Sequence, residues 1–120
     1  MIVDDEAGFT RLLKLTLEGT KRYIVKEEND GSQALTVARQ FRPDLILLDI
    51  IMPKVDGGDV ARQMSNDPIL KEVKIIFLTA IVSQREEAGL GGGIGGFPFM
   101  AKPVSLAALT AMIEETLGEG

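Results

Sequence analysis

Short apolar runs alternate along the chain with longer stretches in which apolar residues recur every three or four positions. Strands interleaved with helices produce that alternation, and it predicts an α/β fold built on a parallel sheet. The clearest strand is Leu45-Ile46-Leu47-Leu48, preceded by Pro43 and followed by Asp49. A continuous apolar run of this length is what a central parallel strand, covered on both faces, requires. Met1 to Val3, Tyr23 to Lys26, Ile75 to Leu78 and Phe97 to Met100 read as further strands. Pro98 lies inside the last of these, where a missing N–H is tolerable only at a sheet edge. Between the strands, Phe9, Leu12, Leu13, Thr16 and Leu17 make one helical stripe, Ala34, Leu35 and Ala38 a second, and Val60, Ala61 and Met64 a third. Ser105 has the chemistry of an N-cap for a final helix with Leu109, Met112, Ile113 and Thr116 facing inward, and Gly118 is placed to end it. The pattern is (βα)5 with one weak helix, the fourth. Ser83 and Glu86 form a capping box there, but six glycines fall between Gly89 and Gly96. At about 1 kcal/mol each relative to Ala they would cost a helix about 6 kcal/mol, so helix is expected only from Gln84 to Ala88.

Composition narrows the field. A length of 120 residues fits one domain, residues 1–120, with a radius of gyration of about 14 Å. With 45% apolar and 26% charged residues the chain is too apolar to stay unfolded. The absence of Cys and His removes disulfides, thiolate and imidazole metal sites, and a Ser-His-Asp triad. A net charge of −5 opposes direct contact with nucleic acid, which needs a basic face. No apolar run reaches the roughly 20 residues of a membrane span, and Met1 to Val3 runs into acids rather than a signal-peptide core, so no membrane partner and a cytoplasmic location are expected.

The chemistry gathers where the strands end. Asp4 and Asp5 close the first, Asp49 the third, Thr79 the fourth, and Lys102 follows the fifth. In an open parallel sheet that edge is the ligand-binding edge. Three carboxylates converging there repel one another and call for a cation, and a hard divalent ion such as Mg²⁺ suits an open oxygen site that also receives a phosphate oxygen. Lys102 supplies a point charge for an anion, Thr79 a hydroxyl donor, and Asp49 a carboxylate nucleophile. Gly91-x-Gly93-x-x-Gly96 matches a dinucleotide fingerprint only in letters, since it follows no βα turn and opens no helix.

Val3-Asp4-Asp5-Glu6, then Pro43 through Pro53 with Asp49 within it, Asp56-Gly57, Leu78-Thr79-Ala80 and Lys102-Pro103 stand in this order over nearly the whole chain. In these motifs the chain resembles a response-regulator receiver domain of two-component signal transduction. The resemblance implies a flavodoxin-like, doubly wound sheet in the order 2-1-3-4-5. It implies that Asp49 is the phosphoacceptor, that Asp5, Asp49 and the backbone carbonyl of Ile51 ligate Mg²⁺, and that Asp4 acts through metal-bound water. Thr79 and Lys102 would hold the phosphoryl oxygens, Phe99 falls where the family has a switch aromatic, and the Lys102-Pro103 bond is expected to be cis. The partners implied are a sensor histidine kinase or phosphotransfer protein and an effector protein or domain outside this chain; a homodimer is compatible with it. Such a domain catalyses only its own phosphorylation and dephosphorylation.

The chain departs from the family in four places, Pro98 inside the fifth strand being one. The first strand is short, Phe99 lacks a hydroxyl, and the fourth helix is glycine-rich, with its loop expected to become ordered on phosphorylation. An Asp-nucleophile phosphohydrolase would carry a second acid two residues after the nucleophile, but position 51 is Ile. A receiver reduced to a docking module would have lost site positions, and all five are kept.

Overall fold

Strands β1 (Ile2–Val3), β2 (Glu27–Glu28), β3 (Leu45–Asp49), β4 (Lys74–Thr79) and β5 (Phe99–Ala101) form one parallel sheet in the order β2-β1-β3-β4-β5. The structure is a computed structural model and describes residues 1–80 and 96–118. Four helices accompany the sheet among these residues: α1 (Ala7–Gly19), α2 (Ala34–Phe41), α3 (Gly57–Ser65) and α4 (Leu106–Leu117). The radius of gyration is 13.3 Å. The predicted helix from Gln84 to Ala88, its Ser83–Glu86 capping box and the glycine tract up to Gly95 lie outside the described residues. Gly96 has φ +89°, a conformation that a side chain would strain.

All five residues of β3 are buried, and strand alternation divides them between two cores. Ile46 and Leu48, with Ile75 and Phe77 of β4, pack under α2 and α3 against Ala34, Ala38, Val60, Ala61 and Met64. Leu45 and Leu47, with Ile76 and Leu78, pack under α1 and α4 against Leu13, Leu17, Leu109 and Ile113. A fully buried aliphatic side chain contributes about 1.5–3 kcal/mol, so this doubly faced strand is the main apolar anchor of the fold. Helix ends follow local chemistry. Ser105 Oγ accepts from the Ala108 amide at 3.1 Å, and Gly118 closes α4 with φ +77°. Asp56 caps α3, its Oδ1 accepting from the Gly58 amide at 2.6 Å.

Asp67, just past α3, ties two elements together. Its Oδ2 accepts from Arg39 Nε of α2 at 2.7 Å and also from Nη2, while Oδ1 accepts from the Ile69 and Leu70 amides at 2.8 and 3.3 Å. The Arg39 hydrogen bonds, aided by those amides, outweigh burial and hold the Asp67 carboxyl below its usual pKa.

Three details differ from the sequence pattern. The second strand is Glu27–Glu28, not Tyr23 to Lys26. Among the described residues its only partner is β1, with Ile2 opposite Glu27 and Val3 opposite Glu28, so the ladder starts where Ile2 N–H donates to Lys26 C=O at 2.8 Å. Tyr23, Ile24 and Val25 lie upstream of that contact, and Ile24 is 83% exposed. Leu12, placed in the inward stripe of α1, is 66% exposed. The inward face is centred on Thr10, Leu13 and Leu17, so a polar residue occupies a position that an apolar count passes over. The fifth strand starts at Phe99 rather than Phe97, because Pro98 has no N–H to give and only its C=O joins the sheet, accepting from Phe77 N at 2.9 Å. It is an edge strand, as that proline demands.

Candidate functional site

Parallel pairing aligns the carboxyl ends of β1, β3 and β4, and the chain leaves each of them on a polar residue. Carboxylate oxygens of Asp4, Asp5 and Asp49 there lie within 4.8 Å of one another. Asp4 and Asp49 are buried and Asp5 is exposed, so the cluster is open on one side. Thr79, at the end of β4, is 1% exposed. Lys102 reaches back from beyond β5, and the Lys102-Pro103 peptide bond is cis.

Asp4 is held from four directions. Its amide donates to Glu28 C=O at 3.1 Å, its C=O accepts from Asn29 Nδ2 at 2.7 Å, and its Oδ1 accepts from the Glu6 amide at 2.9 Å. Its Oδ2 accepts from Lys102 Nζ at 2.5 Å. Lys102 also lies 3.5 Å from Glu6 Oε1 and 4.3 Å from the centroid of the Phe9 ring. Burial pulls the Lys102 pKa down, but the Asp4 hydrogen bond and the charges of Asp4, Asp49 and Glu6 overcome it and leave the pKa raised.

Asp49 is in the opposite condition. Burial, with the neighbouring Asp4 charge next in size, pushes its pKa up to about 6, against the opposing charge of Lys102 and a hydrogen bond from the Ile51 amide. A carboxylate with too little positive charge around it is a cation ligand in waiting, and three carboxylates in an open cleft form an oxygen donor set that fits Mg²⁺. Phe99 is half-buried on β5, packed against the core under α2 and α3.

The floor of the site is set by glycine. The Gly57 amide donates to Ile50 C=O at 2.7 Å, and a Cβ at residue 57 would lie 2.1 Å from the carbonyl oxygen of Asp49 and 2.7 Å from Ile50 Cα. The start of α3 therefore rests directly on the backbone of the Asp49 segment. A second hairpin-like contact, between Ile51 and Asp56, closes the loop between them.

The structure thus brings Asp4, Asp5, Asp49 and Lys102 together at one edge. Sequence reasoning missed Glu6, Phe9, Thr10 and Asn29. Glu6 and Phe9 follow the acid pair within one helical turn of each other and face Lys102, which only the fold brings near. Thr10 could have been found as a polar residue at helical spacing from Leu13 and Leu17. A cavity of about 180 Å³ opens beside Asp5, between Asp30, Met52 and Lys54. A larger one, about 460 Å³, lies at the opposite edge of the sheet among Tyr23, Ile24, Arg42 and Asp44, away from the carboxylates.

Comparison with known proteins agrees with this geometry. Residues 1–114 match the response regulator receiver domain. The polar-differentiation response regulator DivK of Brucella anthropi is 32% identical over 119 residues, which cover 99% of this chain and 95% of DivK. The response regulator PleD of Caulobacter vibrioides is 36% identical over 115 residues, covering 94% of this chain and 24% of PleD. The alkaline phosphatase synthesis transcriptional regulatory protein PhoP of Bacillus subtilis is 34% identical across 98% of this chain and 47% of PhoP. Thus the chain spans almost all of one such relative and half or less of others. Among solved structures, a response regulator from Desulfuromonas acetoxidans superposes with a TM-score of 0.82 at 27% identity, covering 98% of this chain and 94% of that one. The chemotaxis protein CheY4 of Vibrio cholerae gives 0.81 at 25% identity, covering 96% and 94%. Fold, acid cluster and sequence lead to one conclusion: this chain belongs to the response regulator receiver domain family.

Proposed function

We propose that Asp49 accepts a phosphoryl group from the phosphohistidine of a sensor histidine kinase or phosphotransfer protein. The observation that carries this reading is the convergence of Asp4, Asp5 and Asp49 around the end of β3, with Lys102 beside them. A carboxylate oxygen of Asp49 attacks phosphorus, the P–N bond breaks, and the imidazole leaves with the electron pair, giving an aspartyl phosphate. Hydrolysis reverses the protein's part: water attacks phosphorus and the Asp49 carboxylate leaves. Little covalent chemistry is asked of the protein beyond positioning and charge. Asp5, Asp49 and the Ile51 carbonyl would hold Mg²⁺, with Asp4 acting through a bound water. When bound, the ion neutralises charge on the phosphoryl oxygens. Thr79 and Lys102 hold those oxygens, which requires Lys102 to leave or share its contact with Asp4. Phe99, without a hydroxyl, responds by changing rotamer rather than by hydrogen bonding. The nucleophile must be ionised, and a pKa of about 6 leaves Asp49 mostly so at pH 7.

The receiver spans residues 1–120 in this reading, acts in the cytoplasm, and signals to an effector protein or domain outside this chain, alone or as a homodimer. It is not an enzyme acting on other substrates: Ile51 stands where a phosphohydrolase needs its second acid. Incubation with acetyl phosphate and Mg²⁺, followed by intact mass, tests the assignment. The mass of one phosphoryl group should appear in the wild type and be absent in Asp49→Asn and in chelator. Labelling that persists in either would overturn it.

A further inference from the structure

Behind the acid cluster a chain of polar side chains runs from the surface of α1 to the backbone between Asp4 and Asp5. Arg11 Nε donates to Glu27 Oε2 at 3.2 Å. Thr10 Oγ1 lies 2.9 Å from Glu27 Oε1 and 3.1 Å from Ala7 C=O, and Thr10 is fully buried. A hydroxyl has one proton, and a carboxylate is the stronger acceptor, so the proton goes to Glu27. The Thr10 lone pairs then accept from Asn29 Nδ2 at 2.9 Å, and the same nitrogen donates to Asp4 C=O at 2.7 Å. With the Thr10 proton committed, both groups facing Asn29 are acceptors. The amide nitrogen of Asn29, with two protons, satisfies them together.

We propose that Asn29 is a positioning residue for the metal-binding acids, and that Thr10 and Glu27 orient it. Its hydrogen bond fixes the carbonyl of Asp4, hence the peptide plane joining Asp4 to Asp5. Asp5 sits on an exposed turn, and that peptide is what aims it at Asp49. Outer partners of this kind orient the ligands without touching the metal, and their loss typically weakens metal affinity 10–100-fold.

The inference rests on the Mg²⁺ reading above, and Asn29→Asp separates the two. That substitution keeps the size and adds a negative charge near the cluster, but removes both donors and sets a carboxylate against the Asp4 carbonyl. Charge alone would tighten Mg²⁺ binding; lost positioning weakens it. By titration calorimetry with Mg²⁺, Asn29→Asp is expected to bind about 10-fold more weakly than wild type. In an Asp5→Asn background, adding Asn29→Asp should change little, because the effect acts through Asp5. Thr10→Val should weaken binding and Thr10→Ser should restore it, and this pair decides the matter should Asn29→Asp not fold. Equal or tighter binding by Asn29→Asp, or by Thr10→Val, refutes the positioning role while leaving the metal assignment standing. A wild type that binds no Mg²⁺ refutes both.

Discussion

Asp49 and Asp67 are both buried aspartates, 7% and 5% exposed, at opposite edges of the same sheet. At the amino edge, Asp67 meets a guanidinium and two backbone amides, and its carboxylate is held firmly in the ionised form. At the carboxyl edge, Asp49 meets two other aspartates, and its ionised form is disfavoured. Burial is common to both, so burial does not make a carboxylate reactive. Missing compensation sets the two apart: Asp67 has its positive partners within the fold and spends its lone pairs on structure, whereas Asp49 lacks charge that a ligand from outside can supply.

That contrast can be broken most sharply by neutralising Asp49. Its pKa rises from 3.8 to about 6 on folding, so the folded state binds the proton more tightly than the unfolded one. The stability this gives is present below about 4 and is lost as pH rises through 6. Asp49→Asn never carries the charge. It should therefore be more stable than wild type at pH 7 by about 3 kcal/mol, at 1.36 kcal/mol per unit, and the gap should close near pH 4. Urea denaturation of both proteins at each pH measures it, and the difference cancels other titrating groups, including the buried Met1 amine, whose pKa burial lowers to about 5 against the pull of Asp44. A gap that widens towards acid would show that Asp49 is already compensated.

Mg²⁺ should do to the wild type what the Asn substitution does. At free ion 100 times the dissociation constant, linkage gives about 2.7 kcal/mol, read as a higher melting temperature. The rise should shrink in Asp5→Asn and be unaffected by Asp67→Ala. An equal rise in Asp5→Asn would place the ion elsewhere.

Asp67→Ala sharpens the comparison from the other side. Removing a charged acceptor of several hydrogen bonds should destabilise the fold by about 2 kcal/mol at pH 7, while the phosphorylation proposed for Asp49 should be as efficient as in the wild type under conditions where the variant is folded. The smallest effect is expected from Lys102→Ala. Losing that positive charge should move the Asp49 pKa further above 6, by less than about one unit for a partly screened neighbour, and carboxyl NMR titration would show it. Mg²⁺ binding should survive, since Lys102 offers no oxygen ligand; a downward shift of Asp49 would mean that Lys102 does not face it.

Much of this was legible in the residues. Leu45 to Leu48 announced a central strand because nothing but two-sided burial favours so many consecutive aliphatics, and the ends of strands named Asp4, Asp5, Asp49 and Lys102. What escaped notice depended on partners distant in sequence. The second strand slipped to Glu27–Glu28, two acids that no propensity would choose, because β1 alone fixes where pairing occurs. Asn29 and Thr10 looked like ordinary loop and helix residues until their hydrogen bonds were visible. Phe9 was read as core and does pack against it, but its second contact, with the Lys102 ammonium, could not be foreseen.

Gly57 has a kinematic meaning. With room for only a hydrogen between residue 57 and the carbonyl of Asp49, the joint linking β3 to α3 has no free play. A hinge needs clearance, and there is none here, so β3 and the first turn of α3 travel as one rigid part. Should Asp49 take a phosphoryl group as proposed, displacement is expected on the β4 and β5 side of the pocket, where Thr79, Phe99 and Lys102 sit. A larger side chain at position 57 would not loosen this joint; it would wedge it open and carry the Asp49 carboxylate out of line.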